Sequence, residues 1–266
     1  MSNLKELNKE EKDLSYSKYY YMEMAEQPEV LLEKIAAGPI KSTEATTIEN
    51  KDDLLKPGYL QTEVGYCVMD DGTAFVSNIT KMPGVTKEMF EWWFAWHGLA
   101  PLRYKIWDRD DHFGIETTHR ERLLDQNIPM NERIWGVTHS VIEDTGAGPQ
   151  PLNINFKSPK EMGFDMEALK KSKVLSIACA NDDTAVMVHS IREISDGIEL
   201  RSRFWLGYNI VDKKPVKLIP DGVKIPQEVP EGLIRHNVKE FSNLAKILPS
   251  LYEEEKDNYC KNIKKH

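Results

Sequence analysis

The stretch that most limits what this chain can fold into is PEGLIRHNVKEFSNLAKILP, residues 230–249. Leu233, His236, Glu240, Leu244 and Ile247 recur at spacings of three and four, so they share one stripe of a helix. Pro230 and Gly232 mark its start, and Pro249 reads as its stop. Leu233, Leu244 and Ile247 are core-type residues, but His236 and Glu240 sit in the middle of the stripe, where an unpaired charge is costly. A fold that buries this face must therefore give an imidazole and a carboxylate something to bind. Side chains four apart on one helical face reach a common point, and histidine with glutamate is a zinc-ligand pair. A solvated His–Glu pair on a helix edge is the plain alternative for an isolated HxxxE.

The rest of the chain offers a sheet to cover that stripe. Val64, Tyr66 and Val68 alternate before Asp70-Asp71-Gly72, and Ala74 to Ile79 resume beyond it, which predicts a hairpin. The run MPGVTKEMFEWWFAWHG predicts a helix with Thr86 as N-cap and Gly98 beyond its end, apolar nearly all round and so buried on most sides. WGVTHSVIE, KVLSIACAN, AVMVHSIREI and ELRSRFWLGYNI follow as strands, with turns at Asn181-Asp182-Asp183 and Ser195-Asp196-Gly197. Hairpin, aromatic helix, consecutive strands and a long last helix predict an α+β fold. Its twisted antiparallel sheet would wrap around the C-terminal helix in the helix-grip (birch-allergen or START-like) layout, enclosing a ligand cavity. Residues 1–59 are rich in Lys and Glu and carry the short amphipathic segment EVLLEKIAAGP; they read as a small N-terminal region that packs on the main domain, residues 60–266, or on a second subunit.

Composition removes several classes of function. Asp and Glu number 43 against 35 Lys and Arg, and the net charge of −8 argues against a nucleic-acid surface. The basic ending KNIKKH, closed by His266, follows acidic EEEKD and reads as a solvated tail. Cys67, Cys179 and Cys260 are far apart and odd in number, which suggests reduced thiols rather than a disulfide framework or a cysteine zinc site. The start of the chain has no secretory h-region and no run spans a membrane, so a soluble cytoplasmic protein is expected.

The remaining histidines and acids differ in promise. His119 lies in a polar stretch, and His97 closes the aromatic helix, where a structural role suffices. His112 follows RYKIWDRDD in a loop-like setting, with Tyr104 offering a phenolic hydroxyl nearby; pairing with Asp110 or Asp111 is the plain alternative. Glu143 ends the strand from Trp135 on the same face as Val137, His139 and Val141, where an acid needs a metal, an arginine or water. His189 lies mid-strand between Met187 and Ile191, placed to point into a cavity and to exchange protons, or simply to be a satisfied core histidine. GxSxG, P-loop, GxGxxG and HExxH motifs do not occur.

With WWFAWHG, RYKIWDRDDH, the strand ending at Glu143, RSRFW and HNVKE in this order, the chain resembles the diacetylphloroglucinol hydrolase and phloretin hydrolase family over about residues 60–248. The resemblance implies a zinc-dependent hydrolase that cleaves the carbon–carbon bond between a phloroglucinol ring and its acyl group. It implies a helix-grip catalytic domain and a small N-terminal region involved in homodimer formation. Carried over by motif, the zinc ligands would be His112, Glu143, His236 and Glu240, with Tyr104 and His189 against the substrate, an aromatic ketone. Where the family can present a second tyrosine near RSRFW, this chain has Phe204, and Tyr208 is expected as the nearest hydroxyl on that face. That departure bears on the acyl group accepted, for which an arylpropionyl group as in phloretin is the preferred expectation. A helix-grip carrier of an apolar aromatic ligand, and a metal hydrolase of another β-diketone-like or ester substrate, stay open.

Overall fold

The computed structural model describes residues 4–260; the expectations for the KNIKKH tail and His266 lie outside the described residues. Eight strands, β1 (Gly65–Val68), β2 (Ala74–Pro83), β3 (His112–Thr117), β4 (Thr138–Glu143), β5 (Gln150–Lys157), β6 (Val174–Asn181), β7 (Ala185–Ile194) and β8 (Gly197–Leu206), form one sheet. Its order is β1-β2-β8-β7-β6-β5-β4-β3, and every pair is antiparallel. Strands β9 (Tyr208–Val211) and β10 (Lys214–Lys217) make a separate ribbon.

The period-two alternation sorts side chains to two buried faces. Cys67, Phe75, Cys179, Val186, Val188 and Trp205 pack outward under Ile48, Leu54, Met162 and Phe164. Ala178, Ala180 and Ile191 face inward with the aromatic helix (Lys87–Trp96) and with Phe241, Leu244, Ile247, Leu248 and Leu251 of the terminal helix. Val76 and Phe204 meet Ile234 and Val238 of the same helix. The sheet thus grips the terminal helix, as the helix-grip expectation has it. Thr86 caps the aromatic helix by accepting from the Met89 amide at 3.3 Å, a contact of about 1 kcal/mol.

Several local expectations fail for tertiary reasons. The terminal helix runs Glu228–Glu255, straight through Pro249. The proline forfeits an intrahelical bond, but buried Leu251 and the edge contact of Tyr252 on Trp92 hold the last turns against the aromatic helix. The strand expected from Trp135 begins at Thr138, because Gly136 takes φ +77° and breaks the extended run. β5, which is not among the expected strands, and β3, which starts at His112, together complete the sheet edge. The N-terminal segment lies on the body of the protein: Tyr16 sets its ring edge-on to Trp96 at 5.1 Å, and the Asn243 side-chain oxygen accepts from the Ala25 amide at 3.1 Å. Among the described residues no helix is long and apolar enough to cross a membrane.

Candidate metal and active site

A short helix (Pro101–Lys105) and a tight turn aim His112. Asp108 closes the turn, its carboxylate accepting from the amides of Asp110 and Asp111 at 3.1 and 3.3 Å. The His112 ring then stacks on Tyr104, centroids 4.0 Å apart and planes 2° from parallel. His112 Nδ1 lies 3.2 Å from the Tyr104 carbonyl oxygen. A carbonyl can only accept, so Nδ1 carries the proton and Nε2 presents a lone pair.

The terminal helix brings the other half. His112 Nε2 stands 3.4 Å from His236 Nε2, and the Glu240 carboxylate lies 3.7 Å and 3.8 Å from these two nitrogens. All three residues are buried. Two imidazole lone pairs at that distance repel unless a proton or cation lies between them. The donor set fits a metal: at Zn–N lengths of about 2.0–2.1 Å, tetrahedral geometry separates two ligand nitrogens by about 3.3 Å. Glu143 is the cross-strand partner of His112 and accepts a hydrogen bond from the Tyr104 hydroxyl, so it stands beside the three converging side chains as a second, tyrosine-held carboxylate and is not one of them. Glu240 is itself steadied by the Asn237 amide at 3.1 Å, which in turn accepts from Asn78 of β2 at 3.0 Å.

Protonation follows from this crowding. Burial and the neighbouring His236 hold His112 well below the usual imidazole range. Burial likewise pushes the Glu240 carboxyl well above the carboxylate range. For His236 burial lowers the affinity for a proton, but Glu240, Asp111 and Glu143 override it and raise its pKa to about 9. The pocket gathers negative charge and retains protons where a divalent cation would neutralise the same groups.

A second acidic cluster, Asp108, Asp111 and His236, shares the imidazole but not the role. Lys239 Nζ sits 3.1, 3.4 and 2.8 Å from Asp108, Asp110 and Asp111. An ammonium already serves as the cation there. Asp111 then faces His236 Nδ1 at 3.7 Å, backing the ring from the side away from His112. The sequence offers Asp111 only as a partner of His112, whereas the fold sets it behind His236, and Lys239, Asn237 and Asn78 are not expected at the site; their signal is the RDD run before His112 and the polar residues inside HNVKE.

The cluster opens on an inner cavity of ≈ 60 Å³ walled by Tyr104, Glu143, His189, His236 and Glu240 on its polar side and by Phe94, Phe156 and Phe204 on its apolar side. His189 Nδ1 lies 2.9 Å from Ser202 Oγ, and burial drives its pKa down to about 3, so the ring is neutral. Burial and the Glu143 charge keep the Tyr104 phenol protonated. His97 is structural, its Nδ1 2.8 Å from the Trp93 carbonyl, and His119 is exposed. Tyr208 is not brought to the site. β8 ends at Leu206, Gly207 turns the chain at φ +84°, and the Tyr208 hydroxyl donates to Asp71 at 2.9 Å near the far ribbon. The expected hydroxyl on the Phe204 face is therefore absent among the described residues, and that wall is apolar.

The family model described as the DAPG hydrolase PhiG domain matches residues 46–253. A phloretin hydrolase of Eubacterium ramulus is 43% identical over 256 residues, 94% of this chain and 93% of that protein. A 2,4-diacetylphloroglucinol hydrolase of Pseudomonas protegens is 30% identical over 258 residues, 90% of this chain and 84% of that protein. Among solved structures, that of Ara h 8.0201 aligns at TM-score 0.41 and 9% identity, over 67% of this chain and 99% of that one.

Proposed function

The chain belongs to the DAPG hydrolase family, and from that premise we propose that it hydrolyses the carbon–carbon bond between a phloroglucinol-type ring and its acyl group. The observation that carries the reading is the buried convergence of His112, His236 and Glu240, with Glu143 beside them, on a cavity that is polar on one wall and aromatic on the other. A carrier of apolar ligands has no use for so costly a cluster.

In the proposed reaction the acyl-bearing ring carbon takes a proton, which converts the aryl ketone into a β-diketone-like tautomer. Water adds to the acyl carbonyl, the C–C bond breaks, and its electron pair leaves on the ring as a stabilised enolate; the products are the arene and a carboxylic acid. His189 has one nitrogen engaged with Ser202, which leaves Nε2 to pass a proton within the cavity. Tyr104, held as a phenol, donates from its hydroxyl to a ring or carbonyl oxygen once the substrate competes with Glu143 for it. Phe204 supplies an apolar surface for the ring. A zinc ion held by His112, Glu143, His236 and Glu240 would supply Lewis-acid polarisation of an oxygen or acidification of a water. We also propose that the N-terminal region takes part in a homodimer, which light scattering of the purified protein tests.

The deciding assay incubates the purified protein with phloretin and with diacetylphloroglucinol. Free phloroglucinol from the first, or its monoacyl form from the second, is the expected result, with loss of turnover on chelation and about one zinc per chain by metal analysis. Turnover of neither ketone overturns the reading.

A further inference from the structure

The inner cavity of ≈ 60 Å³ holds about two waters and is far too small for an acylphloroglucinol. A second cavity of ≈ 500 Å³ adjoins it, within the range of about 300–1,000 Å³ that encloses a drug-sized ligand. The two share Glu143, Ile154, Met187, Phe204 and Leu233 in their walls, so these side chains form the throat between them. Ala180 of β6, Met187 of β7 and Phe204 of β8 stand opposite one another in register, and the terminal helix lays Leu233 over this row. Beyond the throat the wall is mainly apolar, with Leu152, Ala180, Leu206, Ile219, Ile225 and Val229. Small Ala180 leaves the room that larger residues around it would fill. The throat combines Met187, an unbranched side chain that adapts to what it contacts, with Leu233 at the start of the helix.

We propose that the outer cavity is the subsite for the substrate's acyl arm. The ring binds at the throat against Glu143 and the His112–His236–Glu240 cluster, Met187 and Leu233 yield to admit it, and the arm extends away from the cluster into apolar space. The size and chemistry of that space suit an arylalkanoyl arm, in which an aromatic ring hangs from a short chain; an acetyl group leaves it nearly empty. Selectivity for the arm is then set by Ala180, Ile225 and the throat side chains Ile154, Met187 and Leu233, none of which belongs to the histidine–glutamate cluster. This assignment rests on the C–C hydrolase reading above.

The test compares kcat/KM for phloretin and for diacetylphloroglucinol in the wild-type protein, Ala180→Phe and Ile225→Trp. Filling the outer cavity should lower the phloretin-to-acetyl ratio by at least about tenfold, the scale on which a hydrophobic pocket discriminates, chiefly through KM for phloretin. As a measurement that needs no variant, 3-(4-hydroxyphenyl)propanoate should compete with diacetylphloroglucinol in the wild-type protein, while acetate at the same concentration should not. Equal losses on both substrates in folded variants, or failure of the arylpropanoate to compete, overturns the arm subsite while leaving the hydrolase intact. A wild-type protein that cleaves neither ketone overturns the hydrolase reading, and the subsite falls with it.

Discussion

The two faces of β8 carry buried charge in opposite ways. On the outer face Arg201 and Arg203, both fully buried, converge on Glu63: Arg201 grips both carboxylate oxygens and Arg203 binds one of them. Arg201 also donates to the Leu54 carbonyl at 3.2 Å, and Arg203 to that of Ser202 at 2.8 Å. There the chain answers its own charges. On the inner face, beyond Ser202 and Phe204, two imidazole nitrogens stand 3.4 Å apart and burial drives Glu240 towards its neutral form. Structural ion networks close on themselves, whereas the site is left open to a cation and a substrate. The distinction is one of completeness, since both regions hold buried charged or titratable groups.

The largest expected effect breaks the open side. His236→Ala and Glu240→Ala should each lose nearly all bound metal and activity, beyond the roughly 10–100-fold cost of disturbing an outer-shell partner, while remaining folded by circular dichroism. Full metal content in both variants would remove the site. Next, Glu63→Ala strands two buried guanidinium groups and should cost about 3–5 kcal/mol of stability. Urea unfolding measures this, and metal content per folded chain should not change. If Glu63→Ala instead strips the metal, the two faces are not separate systems.

A smaller effect sharpens the boundary between them. Lys239→Met frees Asp111 from its ammonium and should weaken metal binding by about 10–100-fold in competition with a chelator, with Lys239→Arg recovering part of it. An unchanged affinity would make Lys239 a surface ion pair and nothing more. The smallest effect is in pH. Burial raises the Glu63 carboxyl, but Arg201 and Arg203 more than offset this and hold it below its ordinary value of 4.5. A carboxyl lowered by folding contributes stability that is complete above about pH 4.5 and lost as pH falls through the folded value. The urea midpoint should therefore drop steeply below that pH, and Glu63→Gln should flatten the drop.

Part of this site was legible in the linear chain. HNVKE places His236 and Glu240 on one face wherever a helix forms, because four residues nearly complete a turn. Alternation in AVMVHSIREI puts His189 on the inner row with Met187, and the hydroxyl of Thr86 marks a helix start. These signals are local, so propensity and period carry them. His112 was harder: its approach to His236 spans 124 positions, and β3 owes its existence to pairing with β4 rather than to any alternation of its own.

Tertiary structure alone decided the remainder. Pro249 should end a helix, yet the packing of Leu251 and Tyr252 outweighs one lost hydrogen bond. Tyr208, four residues after Phe204, would share its face on an unbroken strand, but a single glycine with positive φ sent it to Asp71. The choice between the two acidic clusters fell to Lys239, which fills one and leaves the other open. By itself the sequence determined which residue types share a helix or strand face, since that depends on fixed backbone periods. Which faces meet, and which charges find a partner within the chain, depends on contacts between distant segments and had to await the fold.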